Sequence, residues 1–438
     1  MLAKKTLYLI IALILLSPLA YYSAGIGQQA RALSQEPLIA DDGSLQSSPK
    51  AVALHKLTLP MRIERMLLYP ALLMLLQFSG AALWFRGWLE RRWLPNLERA
   101  PGFSALDRWL LRFTRKRFSL GEATVILLYI ALFALGIRLL YLPFSLYSFV
   151  LRHQFDLSTQ GFFAWQRDFW LGWGIALLTA LLGYGVFYAL LKISPRRWPV
   201  WTGLVFTVFT IGYVLLEPLL ITPLFYEITP VADPALRQRI KTMTDQAGVN
   251  IDEIYVIDAS SKTNAVNACF TGFGGASKIF LWDTLLNKHS PDEVDVVIAH
   301  EMGHWVHKHV LIGLLGSIAF TWIGLFALRW WLNRVWQKLG WRGPFDVAGY
   351  PCLLGMMSIV GILTMPLFNG ISRYAENQAD DFALAISQKP EAAAVMFEGF
   401  ARENLSLVHI PAWEKIIFST HPPLNERIAK AEKAMNNE

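Results

Sequence analysis

The sequence contains few charged residues and few cysteines. Asp, Glu, Lys and Arg make up 17% of the 438 residues, whereas 54% of the residues are hydrophobic. An average soluble domain carries about 25% charged residues, so this composition excludes an ordinary soluble fold and indicates a polytopic membrane protein. Two cysteines, Cys269 and Cys352, are too few for a disulfide framework, and the sequence gives no reason to pair them.

Motifs for binding phosphate or nucleic acid are absent, as are internal repeats and low-complexity runs. The net charge of +7 comes from basic residues concentrated in short segments between apolar runs. Anionic lipid attracts such segments. We therefore expect the lipid bilayer, and no nucleic acid, as a partner.

Seven apolar segments are each about long enough to cross a ~30 Å hydrocarbon core. They cover approximately residues 6–22, 66–85, 124–150, 170–191, 200–224, 310–332 and 349–368. Lys4 and Lys5 precede the first segment and YYSAG follows it, so a cleaved signal peptide is an alternative there. Arg138 and Glu217 lie within two predicted spans, and charges at membrane depth usually face an internal cavity or each other.

Basic residues in short loops predict the orientation, because such loops resist translocation. With the N-terminus in the cytoplasm, the predicted inner segments contain seventeen Lys and Arg: 1–5, 86–122, 192–199 and 333–348. The predicted outer loops 23–65 and 151–169 contain seven. Residues 225–309 and 369–438 are therefore predicted to lie outside the cytoplasm, and the compact loops favour a bacterial inner membrane.

The spans divide the chain into four regions. Residues 1–224 are predicted to be a membrane region with five spans, 225–309 a polar domain, 310–368 two further spans and 369–438 a helical C-terminal part. In the polar domain, EIYVIDA and KIFLW have the pattern of strands, and NAVNACFTGFGG that of a strand ending in a glycine turn. DPALRQRIKTMTDQAG predicts a helix that stops at Gly248.

The sequence VIAHEMGHWVHKHV, residues 297–310, has the spacing of a zinc site. Its helix start is marked by an N-cap, a proline and a capping-box glutamate: Ser290, Pro291 and Glu293. From there the pattern predicts one helix continuing into the span at 310. On this helix His300 and His304 lie one turn apart and reach the same ion, while Glu301 lies beside them to handle a metal-bound water.

A catalytic zinc site usually has a third protein ligand. His307 and His309 do not fit the metzincin spacing. Glu376 and Asp380 lie at helical i, i+4 spacing just after the seventh span. Glu376 can bind the ion, and Asp380 can orient a ligand histidine. A solvated acidic helix face is the alternative for this pair.

HEMGH followed by SRYAENQADDFA resembles the integral-membrane zinc metalloproteases of the type I CAAX prenyl protease family. Four further blocks resemble this family in the same order: LPFSLYSFVLRHQFDLSTQGFFAWQRDF (142–169), ITPLFYEITPV (221–231), SSKTNAVNACFTGFGGASKIFLWDTLL (260–286) and STHPPLNERI (419–428). The resemblance covers about residues 140–428. It does not extend to the first 120 residues, and it does not decide whether a substrate is prenylated.

The resemblance implies a polytopic α-helical membrane protein with about seven transmembrane helices. Its gluzincin-like zinc metalloprotease domain would contain a small β-sheet. One Zn²⁺ per chain is implied, with His300, His304 and Glu376 as ligands. Glu301 would be the general base and Asp380 would support a ligand.

The resemblance also implies residues that meet the substrate. The strand beginning at Asn264 and Ala265 resembles the strand that pairs with extended substrate backbone. His421 and Arg427 resemble positions near the zinc, where a donor stabilises the oxyanion. The alternatives are a turn before the strand for Asn264, a helix start for His421, and a salt bridge to an acidic neighbour such as Glu376 or Asp380 for Arg427.

The predicted activity is hydrolysis of peptide bonds in membrane-associated peptides or proteins by zinc-activated water. Two other functions are compatible with the residues. A transporter-like protein with an incidental HExxH sequence would not depend on zinc and would tolerate Glu301→Gln. An inactive zinc-binding scaffold would bind the metal and cleave nothing.

Overall fold

A computed structural model of the chain describes residues 11–12, 16, 32–41, 43–249, 253–271 and 278–436. Its helices in chain order are α1 Pro49–Phe78, α2 Ala81–Glu98, α3 Phe103–Phe113, α4 Leu120–Leu140, α5 Leu142–Gln154, α6 Phe162–Ile193, α7 Trp198–Leu216, α8 Pro234–Ala247, α9 Asp283–Lys288, α10 Pro291–Val306, α11 His309–Val335, α12 Tyr350–Ser387, α13 Pro390–Glu403, α14 Ala412–Phe418 and α15 Leu424–Met435. Its strands are β1 Leu38–Ile39, β2 Leu45–Gln46, β3 Ile228–Pro230, β4 Glu253–Ile257, β5 Ala268–Thr271 and β6 Lys278–Trp282.

Within these described ranges, five helical segments are long and apolar enough to cross a membrane: Leu120–Leu140, Phe162–Ile193, Trp198–Leu224, His309–Val335 and Val347–Ser387. Each overlaps one of the predicted spans. A sixth span is possible if α1 and α2, which meet at 63°, cross together. The predicted span 66–85 falls on this bent pair, and the predicted span 6–22 lies almost entirely outside the described residues. A total of seven spans therefore stays a prediction.

The predicted span 124–150 is divided into two helices. Helix α4 ends at Leu140, and α5 begins at Leu142 with Pro143 in its first turn. Proline has no N–H to continue the preceding helix, and its ring clashes with the carbonyl one turn back, so a proline favours a new helix start. The expectation of a single helix over this segment is wrong.

At one end of the membrane helices, ion pairs connect helices that are distant in sequence. Arg342 binds the Glu90 carboxylate through two nitrogens, at 2.5 and 2.9 Å. Arg86 pairs with Asp346, and Lys192 pairs with Glu122. This end belongs to the predicted basic inner segments, and the HExxH helix lies at the opposite end.

The polar domain contains a four-stranded sheet in the order β3-β4-β6-β5. β4 and β6 are parallel, while β3 and β5 run antiparallel to their neighbours. The predicted strands EIYVI and KIFLW and the predicted helix α8 are confirmed, and Gly248 ends α8 at a φ of 64°. A continuous apolar core joins the sheet to α8, α10, α13 and α15. β3 and β5 are the two edge strands of this sheet.

Helix α10 has the predicted start but ends earlier than predicted. Ser290 caps it, and both hydrogen bonds of the capping box with Glu293 are present. The helix ends at Val306, Lys308 has a φ of 57°, and α11 begins at His309. The expectation of one helix continuing into the span is therefore wrong. A left-handed residue interrupts the helix and lets the chain change direction at the membrane boundary.

Candidate metal centre

His300, His304 and Glu376 bring three ligand atoms together in a triangle. The two imidazole Nε2 atoms are 3.2 Å apart. Glu376 Oε2 lies 3.3 Å from Nε2 of His300, and Oε1 lies 3.5 Å from Nε2 of His304. Four tetrahedral ligands at about 2.0–2.1 Å from zinc are separated from one another by about 3.3–3.4 Å. The two distances from Glu376 involve different carboxylate oxygens, and one ligand atom from each residue lies within 4.8 Å of the others, so the three side chains could hold one zinc ion.

The donor set has the features of a metal site more than those of an ordinary hydrogen-bond network. Oε2 of Glu376 is buried and, among the described residues, has no well-directed hydrogen bond, although it lies 3.3 Å from His300 Nε2. Two ring nitrogens facing each other at 3.2 Å need a shared proton or a shared cation between them. An ion at the centre of the triangle would satisfy all three side chains.

The two ligand-bearing helices approach closely at Gly303. A Cβ atom built on Gly303 would lie 2.9 Å from Ala379 Cα and 3.2 Å from Ala379 O. The glycine of HEMGH thus lets α10 lie against the backbone of α12. This contact places Glu376, one turn before Asp380, opposite the two histidines.

Asp380 and Arg427 hold the outer side of His300. The His300 Nδ1 atom lies 2.9 Å from Asp380 Oδ1. Arg427 donates to both carboxylate oxygens of Asp380, at 2.9 and 2.6 Å, and its guanidinium lies over the Phe397 ring. Asp380 and Arg427 are 3% and 7% exposed. Arg427 therefore occupies the salt-bridge position that was the alternative to a substrate contact.

His309 and Gln378 hold the outer side of His304, which the sequence did not suggest. The His304 and His309 Nδ1 atoms are 2.9 Å apart, and His309 Nε2 lies 3.1 Å from Gln378 Oε1. If Nε2 of His304 binds a metal, its Nδ1–H donates to His309, and His309 Nε2–H donates to Gln378. The helix break at Lys308 allows this contact by turning His309 back toward α10.

The electrostatics of the two histidines differ. Burial alone lowers the pKa of His300, but the Asp380 and Glu376 carboxylates outweigh it and raise that pKa to about 9. Burial and the positive charge of His300 lower the pKa of His304 to about 4. Without a metal, His300 is therefore protonated and His304 neutral at pH 7. A divalent cation would replace the proton of His300.

Glu301 lies between the two histidines on α10 and is partly buried. The edge strand β5 runs beside Glu301. Burial in the surrounding protein, followed by the charge of the nearby Glu301 carboxylate, raises the pKa of the Cys269 thiol on β5 to about 12. The Trp282 N–H donates to the Asn267 carbonyl, and Cys269 is opposite Phe280 in the register. Because backbone groups alternate in direction along an antiparallel strand, those of Ala268 face the open edge.

Asn264 and Ala265 lie before this strand, and their polar groups already have partners. The Asn264 side-chain amide donates to the Asp156 carbonyl at 2.7 Å. The Ala265 N–H donates to the Thr263 hydroxyl, and its carbonyl accepts from Thr284. The polar groups of these two residues therefore have partners within the chain. The backbone groups of Ala268, three positions after Ala265, point away from β6.

His421 lies on the open side of the triangle. Its Nε2 is 3.4 Å from Glu376 Oε1, and its Nδ1 is 2.9 Å from the Thr420 hydroxyl oxygen. Enclosure by surrounding protein lowers the pKa of His421, so the ring is neutral at pH 7. With the Thr420 hydroxyl donating to Nδ1, Nε2 carries the proton and can donate to an anion near the triangle.

Comparisons with known proteins agree with this geometry. The family model of peptidase family M48 matches residues 230–435, and that of the CAAX prenyl protease N-terminal region, with five membrane helices, matches residues 99–227. The chain is 33% identical to the uncharacterized metalloprotease YhfN of Bacillus subtilis over 67% of this chain and 70% of the relative. It is 31% identical to CAAX prenyl protease 1 of Saccharomyces cerevisiae over 66% of this chain and 67% of the relative.

The fold also matches a solved structure. The crystal structure of S. mikatae Ste24p superimposes with a TM-score of 0.69 and covers 97% of this chain and 99% of that chain. The sequences are 21% identical, so this match concerns the fold.

Proposed function

The chain belongs to peptidase family M48, and we propose that it is a membrane-embedded zinc metalloendopeptidase that cleaves membrane-associated peptides or proteins. The observation that supports zinc most directly is the cluster of His300, His304 and Glu376, in which two ring nitrogens and the two carboxylate oxygens approach one another at 3.2–3.5 Å, close to the ligand separations of tetrahedral coordination. The catalytic unit would combine residues 225–309 and 369–438, which the spans within 310–368 separate in sequence.

Zinc bound by these three side chains would lower the pKa of a water to about 7 and polarise the scissile carbonyl. Glu301 would accept a proton from the attacking water and deliver it to the leaving amine. The neutral His421 ring would donate from Nε2 to the developing oxyanion. Asp380, fixed by Arg427, would hold His300 in the tautomer that leaves Nε2 free for the metal.

The backbone of β5 would hold the substrate in an extended conformation. A peptide that adds to the open edge pairs with the Ala268 N–H and C=O, beside Glu301. Ala268 therefore replaces Asn264 and Ala265 as the residue that we expect to contact substrate backbone. Arg427, buried against Asp380, would act on the substrate only through His300.

We also propose a substrate class and a side of the membrane for the site. Relatives are named CAAX prenyl protease, so a prenylated CAAX peptide is the first substrate to test, beside casein. The basic loops support a cell membrane location of the bacterial inner-membrane type with the metal site outside the cytoplasm. A reporter that is active only in the cytoplasm, fused after residue 438, tests the orientation. Activity of this reporter would contradict a metal site outside the cytoplasm.

The mechanism is tested by zinc content and peptide cleavage of purified wild type and Glu301→Gln. We expect about one zinc in both and a loss of at least ~10²-fold in kcat for the variant. Glu391→Gln, at an exposed position of α13, is the matched control and should keep full activity. Zinc in both proteins with cleavage by neither would support an inactive scaffold, and absence of zinc from wild type would overturn the proposal.

A further inference from the structure

A second site is suggested by a cavity of about 670 Å³ between α1, α4 and α5. Four of its lining residues are arginines: Arg62, Arg65, Arg138 and Arg152. Most of the remaining wall is apolar, including Leu54, Met61, Ile137 and Leu151. The cavity thus combines a cluster of guanidinium groups with a hydrophobic surface.

Carboxylates balance the positive charge of this cavity only in part. Among the described residues, none of the four arginines forms an ion pair with Asp or Glu within 4.0 Å. Glu64 adds one negative charge near Tyr141 at the cavity wall, which leaves a positive excess. At the opposite end of the bundle, by contrast, Arg86 and Arg342 each have a carboxylate partner.

Two polar atoms at the cavity wall are buried without a partner. Within the part of the chain that the structure describes, Arg138 Nε and Tyr141 Oη have no hydrogen bond. Arg138 donates through Nη2 to the Phe169 carbonyl and lies over the Phe169 ring, so its orientation is fixed. A buried donor without an acceptor is costly, and a ligand that brings acceptors into the cavity removes this cost.

The cavity lies where the membrane helices meet the polar domain. Arg138 is in the last turn of the span Leu120–Leu140. The Arg62 guanidinium lies over the Phe418 ring at the end of α14, and the Leu157 carbonyl at the cavity wall accepts from the Thr263 hydroxyl. Because Arg138 ends an apolar span, we place this level at the boundary between the hydrocarbon core and the lipid headgroups.

We propose that this cavity binds the phosphate headgroup of an anionic membrane lipid, with an acyl chain along the apolar wall. Guanidinium groups match phosphate oxygens in pairs, and basic pockets between membrane helices are suited to acidic headgroups. The apolar wall favours a lipid over free phosphate. A peptide carboxylate offers only two oxygen atoms as acceptors. A lipid phosphate adds ester oxygens, so it satisfies the donors of the four arginines and Tyr141 more completely.

The full-length protein in neutral detergent tests this site. The unfolding midpoint is measured while phosphatidylglycerol or phosphatidylcholine is added to the micelles. We expect phosphatidylglycerol alone to raise the wild-type midpoint, because a ligand that binds the folded state stabilises it. Arg62→Gln/Arg65→Gln should need at least ~10-fold more of this lipid for the same rise, since two charge-assisted contacts are lost.

Two further variants separate charge from geometry. Arg237→Gln/Lys241→Gln removes the same charge from exposed positions on α8 and should respond as wild type does. Arg62→Lys/Arg65→Lys keeps the charge without the planar fork and should respond between wild type and the glutamine variant. If the glutamine variant unfolds without lipid, Arg152→Gln alone replaces it.

Three outcomes would overturn the proposal. The first is an equal response to both lipids in wild type. The second is equal protection by inorganic phosphate, which would identify a free anion as the ligand. The third combines two results for Arg62→Gln/Arg65→Gln: the lipid response is unchanged, and the enzyme no longer prefers peptides with a free C-terminus to peptides with an amidated C-terminus. Together these results would assign the cavity to the substrate.

Discussion

Replacing Gly303 by alanine should separate the two helices that carry the metal ligands. The added Cβ would lie 2.9 Å from Ala379 Cα, whereas carbon atoms in contact are normally about 3.5–4.0 Å apart. The obstructing atom is backbone, so no side-chain rotation relieves the clash. Helices α10 and α12 must therefore move apart by about 0.6–1.1 Å at this point.

This displacement is large compared with the tolerance of the metal site. The distances from Glu376 to the two histidine Nε2 atoms are now 3.3 and 3.5 Å. An increase of that size would extend them to about 4 Å or more, beyond the ~3.3 Å edge of a tetrahedral zinc site. We expect zinc affinity to fall by about 10–100-fold, as for the loss of a supporting ligand contact, and stability to fall by about 1–3 kcal/mol from overpacking.

The assay compares zinc affinity, by competition with a coloured chelator, and the unfolding midpoint of the metal-free protein. Gly313→Ala on α11 is the matched control, because its Cβ would meet nothing within 4 Å. That helical substitution should leave the affinity unchanged and the midpoint equal or higher. If Gly303→Ala binds zinc as tightly as Gly313→Ala does, the close approach of the helices does not determine the metal site.

Three other predictions concern the residues around the ligands. His309→Ala should weaken zinc binding by about 10–100-fold, since His304 loses the partner of its Nδ1; unchanged affinity in the chelator assay would refute this role. Zinc affinity should rise about tenfold between pH 7 and 8, because the pKa of His300 is about 9 and zinc must displace its proton. Titration calorimetry in two buffers would detect this displacement as about one proton released per zinc bound. Arg427→Met should destabilise the folded protein by about 1.5–3 kcal/mol, because buried Asp380 loses the charge-assisted hydrogen bonds from Arg427 and keeps only His300 as a charged partner, whereas adding Asp380→Asn should recover part of this loss in denaturant unfolding.

Local signals in the sequence were sufficient for the helix start at Ser290, for Gly248 as a helix end and for the strands EIYVI and KIFLW. Each depends on residues within a few positions of one another. The ligand set could also be proposed, because i, i+4 spacing places His300 beside His304 whatever the surrounding fold.

Contacts between distant segments could not be predicted in the same way. The role of His309 depends on the left-handed conformation of Lys308, which hydropathy does not encode. The sequence pattern predicts a strand beginning at Asn264 and Ala265, whereas β5 begins at Ala268, because Ala265 forms hydrogen bonds with Thr263 and Thr284 that hydropathy does not encode. The tight fit at Gly303 depends on Ala379, 76 residues further along the chain.

The length of α12 sets the level at which the metal site can act. This helix runs from Tyr350 to Ser387 with Pro366 in its interior, so at ~1.5 Å per residue Glu376 lies at most about 39 Å along its axis from Tyr350. The hydrocarbon core is ~30 Å thick, which places Glu376 about 9 Å beyond the core if α12 enters at Tyr350 with little tilt. Helix α11 begins at His309, close to His304, so the second ligand helix ends at the same boundary. Water is available at that level and absent from the core. We therefore expect the protein to cleave bonds held in the headgroup region, and a bond at mid-membrane depth to be cleaved only after it is drawn outward.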